Sequence, residues 1–598
     1  MRKIDKLKNK VKNNIFELYK YIDTKNYFLL FIWFILTCIV GILPSFTVYI
    51  NKSVINSLTK LSEEFNNLYF RNAVLFLVVL SLIELLIEVI EKINLIIYKK
   101  IGDVTTQKLQ IRFYEAISLL SADQFEDFQM YKKITMATNG LGSNGIDILQ
   151  KIATIIASTF SVFSLFAVLY YVHWLLPLVI ILSGVPAFIA LLINKNYRYH
   201  NIEKLVEKQR KHFYLTSLFT DKEAVKELKI FNCFRFLIKR WEKEDSEILG
   251  EEMSVQKHES ILSIVASSIA KIATLGVMLW LINKMADGEL SIGDYVSLIG
   301  AISILQTSLG ELSGCISEIY ESNKYLAALF EILHLDDKKM KKMDEAEAVF
   351  HFENMVIKNL NFRYPSSNSN ILKKINCTIE SGDHIAIIGH NGSGKTTLAN
   401  LLMGVYEKYD GTIIINNKVL EGNIRQQYQK NVACILQNFI KYEMSLRENI
   451  VMGNLDEYGN DKRIIEIMQM IGLNIDNQNG LETILSPLYQ NGTELSGGEW
   501  QKIAMGRALI KDAEVFCFDE PTASLDPEAE SKFYSNLTKV IEDKTYIIVS
   551  HRLGVTKFCN KIIVMNEGEI AEIGTHEDLL EKRGIYYRLY TMQSDLYV

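Results

Sequence analysis

Between Ile385 and Leu398 the chain reads IAIIGHNGSGKTTL. An apolar strand-like run ends at Gly389, four residues separate Gly389 from Gly394, and Lys395-Thr396 opens a helical pattern. That is GxxxxGK[ST], the phosphate-binding loop, in the strand–loop–helix setting it requires. Glycines let the backbone curl so that N–H groups can face phosphate oxygens. Gly389, Asn391, Gly392, Ser393 and Gly394 are therefore expected to cradle a nucleotide. Lys395, Thr396 and Thr397 begin a helix whose N-terminus adds partial positive charge. Lys395 is expected against the β- and γ-phosphates of ATP, and the Thr396 hydroxyl on Mg²⁺.

Two further segments fit such a site. VFCFDE is an apolar run, Val515–Phe518, ending in two carboxylates. A buried parallel strand delivers groups at its carboxyl edge in this way. Asp519 is placed to order the Mg²⁺ shell, and Glu520 to polarise the attacking water. TYIIVSH ends another such run and brings His551 toward the γ-phosphate side.

These groups need a scaffold, and the chain holds more than a nucleotide-binding domain. Its 598 residues include long apolar runs between 27 and 310, whereas the stretch beyond about 340 has the composition of a soluble α/β domain. A bilayer span needs about 20 apolar residues, and six candidates appear: 27–50, 73–97, 152–172, 175–193, 261–282 and 296–317. The first follows MRKIDKLKNKVK, with six basic residues and one acidic, and no small-residue cleavage site comes after it. It is expected to be a retained span with a cytoplasmic tail. The segment Lys195–Lys257 carries fourteen Lys or Arg, and the short loops after spans three and five carry only Lys284. Positive charge stays inside, so both termini and the C-terminal domain are expected in the cytoplasm. The fold class read from the sequence is an α-helical six-span membrane domain fused to an α/β P-loop nucleotide-binding domain. Its boundaries are 1–333, a charged linker at 334–348, and 349–598. The helix-compatible inner connections, about 98–151 and 194–260, are expected to present tips at Gln124–Tyr131 and Ser217–Val225 to a cytosolic domain. Phe125 and Phe128 are the side chains expected to seat there. A net charge of −5 gives no reason to expect nucleic acid as a partner. The seven cysteines, scattered without a CxxC pair, suit reduced cytosolic thiols.

With LSGGEWQK at Leu495–Lys502 added, the chain resembles the ATP-binding-cassette exporters over essentially its whole length. The resemblance implies a domain-swapped exporter in which Ser496, Gly497 and Gly498 close over ATP held by the opposite subunit. It implies further that Tyr364, in FRYP, stacks on adenine. Gln437, in CILQNF, would sense Mg²⁺, and Ala523-Ser524-Leu525-Asp526 would cross the dimer axis. The catalytic set is thus Glu520, His551 and Gln437, and the metal set Thr396, Gln437 and Asp519. Because this set is intact, a homodimer is the expected assembly. Two positions depart from the family pattern: Glu499 stands where glutamine is usual, and Gln490 where the preceding loop has an acid. Weaker or altered bonding across the dimer is expected at the first, and altered coupling at the second.

QNFIKYEMSLRENI, LSGGEWQKIAMGRAL and KELKIFN resemble the nisin-type lantibiotic transporters. This implies a modified, cationic peptide as cargo and a bacterial cytoplasmic membrane as location. A lipid or multidrug exporter of the same architecture is the alternative. About 26 residues precede the first span, too few for an N-terminal peptidase, so a leader on the cargo would be removed by another enzyme. Glu84, Glu88 and Glu91 share an arc of about 60° on one helix, and Glu311 and Glu318 repeat the seven-residue spacing. Charges inside a span are costly and tend to face a wet cavity or an opposite charge. An acidic, substrate-facing cavity and structural pairing with Lys or Arg are both open for these residues.

Overall fold

The computed structural model describes residues 13–14, 16–23, 26–340, 350–365, 367, 369–474, 479–522 and 527–594. Three sequence readings therefore fall outside the described residues: the basic tail at 1–12, the loop Ala523–Asp526 and residues 341–348 of the expected linker. The chain divides into two units. One comprises Met1–Ile117 with Lys133–His334, and the other Ser118–Lys132 with Leu335–Val598.

The first unit is helical. Among the described residues its main elements are α1 (Tyr27–Glu63), α2 (Asn67–Ser118), α4 (Phe128–Leu141), α5 (Ser143–Val172), α6 (Leu175–Thr220), α7 (Lys222–Ile230), α8 (Phe234–Ala286) and α9 (Ile292–Met340), with Ser118, 128–132 and 335–340 at their ends counted in the second unit. The short α3 (Ala122–Glu126) lies between α2 and α4 in sequence and belongs to the second unit. Among the described residues, six helices are long and apolar enough to cross a membrane. The apolar runs are only parts of these helices. At 1.5 Å per residue, a 52-residue α2 extends about 78 Å, more than twice the hydrocarbon thickness. The charged inner connections are thus direct continuations of the spans. Val48, Leu165, Leu169, Ile180, Leu281, Ala301 and Leu305 form one core joining α1, α5, α6, α8 and α9. A second core joins Leu109 and Phe113 of α2 to Leu326, Leu329 and Ile332 of α9. Backbones come close where α1 meets α5: a Cβ at Gly41 would lie 2.3 Å from the Ala157 carbonyl oxygen.

The second unit has two sheets. β1 (Asn354–Phe362), β2 (Leu372–Glu380), β4 (Asp410–Ile415) and β5 (Lys418–Val419) form an antiparallel sheet in the order β2-β1-β4-β5. Asn416 and Asn417, both at positive φ, make the two-residue turn joining β4 to β5. The other sheet runs β10-β9-β3-β8-β7-β6. Its strands are β3 (His384–Gly389), β6 (Val432–Ile435), β7 (Val515–Asp519), β8 (Thr545–Val549), β9 (Lys561–Asn566) and β10 (Glu569–Gly574). β6, β7, β8, β3 and β9 are parallel, and β10 closes one edge antiparallel.

Every residue of β7 and β8 is buried, as strands covered on both faces must be. Alternation divides their side chains between two cores. Ile385, Ile387, Cys517 and Val549 face the core shared with the antiparallel sheet. Ala386, Ile388, Phe518 and Ile548 face a core built with helices including Leu446–Val451, Asp461–Met470 and Gly497–Ile510. Parallel pairing sets Ile387 beside Val549 and Val549 beside Asp519. The carboxyl ends of β3, β8 and β7 therefore finish level with one another. That shared edge is where the candidate chemistry gathers.

Candidate nucleotide site

β3 runs directly into the loop His390–Gly394 and then into α10 (Lys395–Leu402). Gly389, at φ +150°, has no room for a side chain: a Cβ would lie 2.2 Å from the Met565 carbonyl oxygen and 2.9 Å from Ser393 Oγ. Gly394, at φ +98°, caps the helix in the left-handed region, where a Cβ would press on Leu372 at 2.7 Å. The Lys395 ammonium folds over the loop, donating to the carbonyls of Gly389 and His390, each at 3.0 Å. Burial lowers its pKa, against the opposing pull of Glu520 and Asp519. The Ser393 hydroxyl is buried and has no hydrogen-bond partner among the described residues. A buried hydroxyl left unpaired is costly. A glycine-lined turn, an orphaned hydroxyl, a helix start and a buried ammonium together suit a polyphosphate, so the residues present fit ATP.

Across the sheet edge, Asp519 ends β7 and its Oδ1 accepts the Thr396 hydroxyl at 3.3 Å. Burial raises the Asp519 carboxyl above its ordinary range, opposed by the Thr396 hydrogen bond. Asp519 and Thr396, adjacent and both oxygen donors, suit Mg²⁺. Glu520 follows in the left-handed region at φ +50°, with its N–H held by the Val549 carbonyl at 2.9 Å. A non-glycine residue there costs roughly 1–3 kcal/mol and is kept only where its surroundings impose it. The turn brings the carboxylate to two partners: Gln437 Nε2 donates to one oxygen at 2.9 Å, and His551 Nδ1 lies 3.2 Å from the other. Toward a carboxylate, that nitrogen carries the proton. Gln437 follows β6, Glu520 follows β7 and His551 follows β8, so the three meet because their strands are parallel and in register. Tyr364, just past β1, is half-exposed. Its hydroxyl lies 3.0 Å from Thr397 Oγ1, and its ring packs edge-on against Phe362 and Tyr406.

The segment Leu495–Lys502 builds the start of α14, the helix Gly497–Ile510, which follows α11 (Gly422–Lys430), α12 (Leu446–Val451) and α13 (Asp461–Met470). Ser496 is its N-cap, paired with Glu499 in a reciprocal capping box. Ser496, Gly497 and Gly498 make no hydrogen bond to the phosphate-binding loop among the described residues. Ser496 and Gly497 are exposed.

One anchor was missed in the sequence and one expectation is corrected. Asp123 of α3 is 2% exposed, and its Oδ2 accepts the backbone N–H groups of Glu407 at 2.6 Å and Lys408 at 3.2 Å. Glu126 accepts the Tyr406 hydroxyl at 2.9 Å. Phe125 and Phe128, the side chains expected to seat, are 43% and 55% exposed. The tip is held by carboxylates on backbone N–H and phenol donors, with the aromatic rings outside. Ser121 and Gln124 form a capping box, and this S-x-x-Q pattern marks the helix on which Asp123 sits.

Within the membrane unit, Glu318 pairs with Lys151 at 2.5 Å, which is the structural-pairing arrangement. Glu311 accepts the Ser158 hydroxyl at 2.7 Å. Glu84, Glu88 and Glu91 are exposed on α2.

A helical membrane domain joined to a P-loop domain with this carboxylate edge defines a membrane-bound ATPase. Residues 372–523 match the family model described as ABC transporter. The chain is 29% identical over 557 residues to the subtilin transport ATP-binding protein SpaT of Bacillus subtilis, covering 92% of this chain and 89% of that one. It is 29% identical over 567 residues to the nisin transport ATP-binding protein NisT of Lactococcus lactis subsp. lactis, covering 93% and 92%. It is 28% identical over 447 residues to the ATP-dependent lipid A-core flippase of Shigella sonnei, covering 74% and 75%. Its fold matches that of a bacterial Atm1-family ABC exporter with ATP bound, at a TM-score of 0.79 and 20% identity, over 96% of this chain and 99% of that one. The ATPase domain is that of an ABC transporter, the fold is that of an ABC exporter, and the chain is an integral membrane protein whose ATPase is coupled to transport.

Proposed function

We propose that this exporter works as a homodimer in a bacterial cytoplasmic membrane and drives a cationic, modified peptide outward. The carrying observation is the extent of similarity: the subtilin and nisin transport proteins align with 92% and 93% of the chain, the lipid A-core flippase with 74%. Both termini and the ATPase domain face the cytoplasm, where the basic segments lie. The membrane domain is residues 1–333, the linker 334–348 and the ATPase domain 349–598, with the tip at Ser118–Lys132 reaching from the first into the third.

At the nucleotide site, Tyr364 holds adenine, and Gly389, Asn391, Gly392, Ser393, Gly394 and Thr397 enclose the phosphates. Lys395 turns from its carbonyl partners to the β- and γ-phosphates. Thr396, Asp519 and Gln437 would hold Mg²⁺, which supplies charge neutralisation to the phosphate oxygens when bound. Glu520 orients and polarises the attacking water, and its carboxylate is positioned by Gln437 on one oxygen and His551 on the other. Ser496, Gly497 and Gly498 complete the site from the second subunit, in keeping with the exposure of Ser496 and Gly497 and with the three making no hydrogen bond to their own P-loop among the described residues. Asp123 and Glu126 tie the inner tip to the ATPase domain and so carry its movement to the helices.

Glu84 and Glu311 are the acidic residues assigned to the cargo path. Glu318 is already neutralised by Lys151. The test is ATPase stimulation of the purified protein in liposomes by a cationic peptide, a leader-bearing peptide and a lipid. Glu84→Gln with Glu311→Gln should weaken stimulation by the cationic peptide several-fold and leave the melting temperature unchanged. A stable double variant that responds to peptide like the wild type refutes the acidic path. Stimulation by lipid alone supports a lipid exporter, the reading suggested by similarity to the flippase.

A further inference from the structure

In the capping box of α14 a single oxygen, Glu499 Oε2, accepts both the Ser496 backbone N–H and the Ser496 hydroxyl, each at 2.8 Å. The Glu499 N–H returns to Ser496 Oγ at 3.3 Å. A serine hydroxyl has one proton to donate, and here the carboxylate holds it. The Lys502 ammonium donates to the Gly472 carbonyl at 2.6 Å and acts on the Glu499 carboxylate through its charge alone. Hydrogen bonds from Ser496 lower the Glu499 pKa, so the side chain is anionic at neutral pH. The helix N-terminus, which would favour a phosphate, thus already carries a negative charge supplied by its own first turn.

We propose that Glu499 sets the ATP affinity of the closed transporter, because its carboxylate and a nucleotide phosphate compete for the one Ser496 hydroxyl proton at the same helix start. This rests on the reading above that Ser496–Gly498 meets ATP bound to a second copy. Glu499 is a positioning residue acting through Ser496. Its negative charge makes closure demand more ATP than a neutral residue at that position would. Glutamine serves as well as glutamate at the third position of a capping box. Glu499→Gln therefore removes the charge and keeps the cap.

The experiment uses full-length purified protein. Glu499→Gln should lower the KM for ATP roughly tenfold, the scale of one near-surface charge interaction, with kcat changed less than twofold and an unaltered melting temperature. The difference should shrink on going from low salt to about 0.5 M NaCl, since exposed charges are screened over a few ångströms there. In a Ser496→Ala background, the effect of Glu499→Gln on KM should be smaller, because the contested hydroxyl is gone and only the direct repulsion between carboxylate and phosphate remains. Glu499→Ala, which loses the cap, should lower the melting temperature. If Glu499→Gln leaves KM unchanged while Glu499→Ala is destabilised, Glu499 is a structural cap and the proposal is overturned. The two-copy reading is tested apart from it, by radiolabelled ATP retained through rapid desalting in Glu520→Gln. No retention there removes that reading and the proposal with it. Retention at the same ATP concentration with and without Glu499→Gln overturns the proposal alone.

Discussion

Asp123→Ala tests how the inner tip is held. Its carboxylate is buried and accepts two backbone N–H groups through one oxygen. Hydrogen bonds to a charged group contribute about 1.5–3 kcal/mol each. Because both fall on one oxygen, about 3 kcal/mol for the pair is a moderate figure, and at 1.4 kcal/mol per tenfold this corresponds to opening roughly 100-fold more often. Asn at the same position keeps an acceptor without the charge, and about half that energy predicts roughly tenfold. Hydrogen–deuterium exchange of the full-length protein in detergent, followed in peptides spanning Tyr406–Tyr409, reads the amides of Glu407 and Lys408 directly. Exchange there should accelerate in the order wild type, Asp123→Asn, Asp123→Ala, while amides of the buried strand β3 stay protected. Substrate-stimulated ATPase activity should fall in the same order, with basal activity retained. Protection at Glu407 and Lys408 that matches wild type in Asp123→Ala would refute the anchoring role.

Glu520→Gln should retain ATP binding and reduce turnover by a factor of about 10² to 10⁴, the range typical of a lost general base; wild-type-like hydrolysis would rule out the assigned role. The second test concerns Asp519, whose raised pKa means the folded, nucleotide-free protein holds that proton more tightly than the unfolded chain does. This contribution is full below the unfolded value of about 3.9 and is lost as pH rises through the raised folded value. Asp519→Asn should therefore raise the melting temperature of nucleotide-free protein by a few degrees at pH 7 and abolish the extra stabilisation that Mg²⁺ adds to ATP. A lower melting temperature with the Mg²⁺ increment intact would contradict it.

Sequence made the local features legible. The spans could be read because a bilayer imposes length and apolarity. The phosphate-binding loop could be read because its function depends on residues within one turn of one another. Structure was needed wherever sequence-distant groups meet. Gln437, Glu520 and His551 converge only through the register of three parallel strands, which their separate motifs do not encode. The charged, helix-compatible connections also read as continuations of the spans, and the helices do run on through them, for up to 53 residues. The aromatic residues of QFEDFQMY drew attention as hydrophobic anchors, yet Asp123, one position earlier, makes the buried contact. Glu499 is the most instructive case. As a departure from glutamine it suggested weaker bonding, although SGGE is also an S-x-x-E capping box and so specifies where the carboxylate goes.

The ATPase unit is discontinuous, and this bears on how the protein is made. Asp123 and Lys408 are 285 residues apart in the chain. At translation rates of about 5–20 residues per second, α3 leaves the ribosome roughly 15 to 60 s before its partner. Throughout that interval the N–H groups that the Asp123 carboxylate accepts have not yet been synthesised. An ATPase fragment beginning at residue 349 would lack α3, and its Glu407 and Lys408 N–H groups and Tyr406 hydroxyl would be left to water. Adding the peptide Ser118–Lys132 in trans should restore protection to those amides.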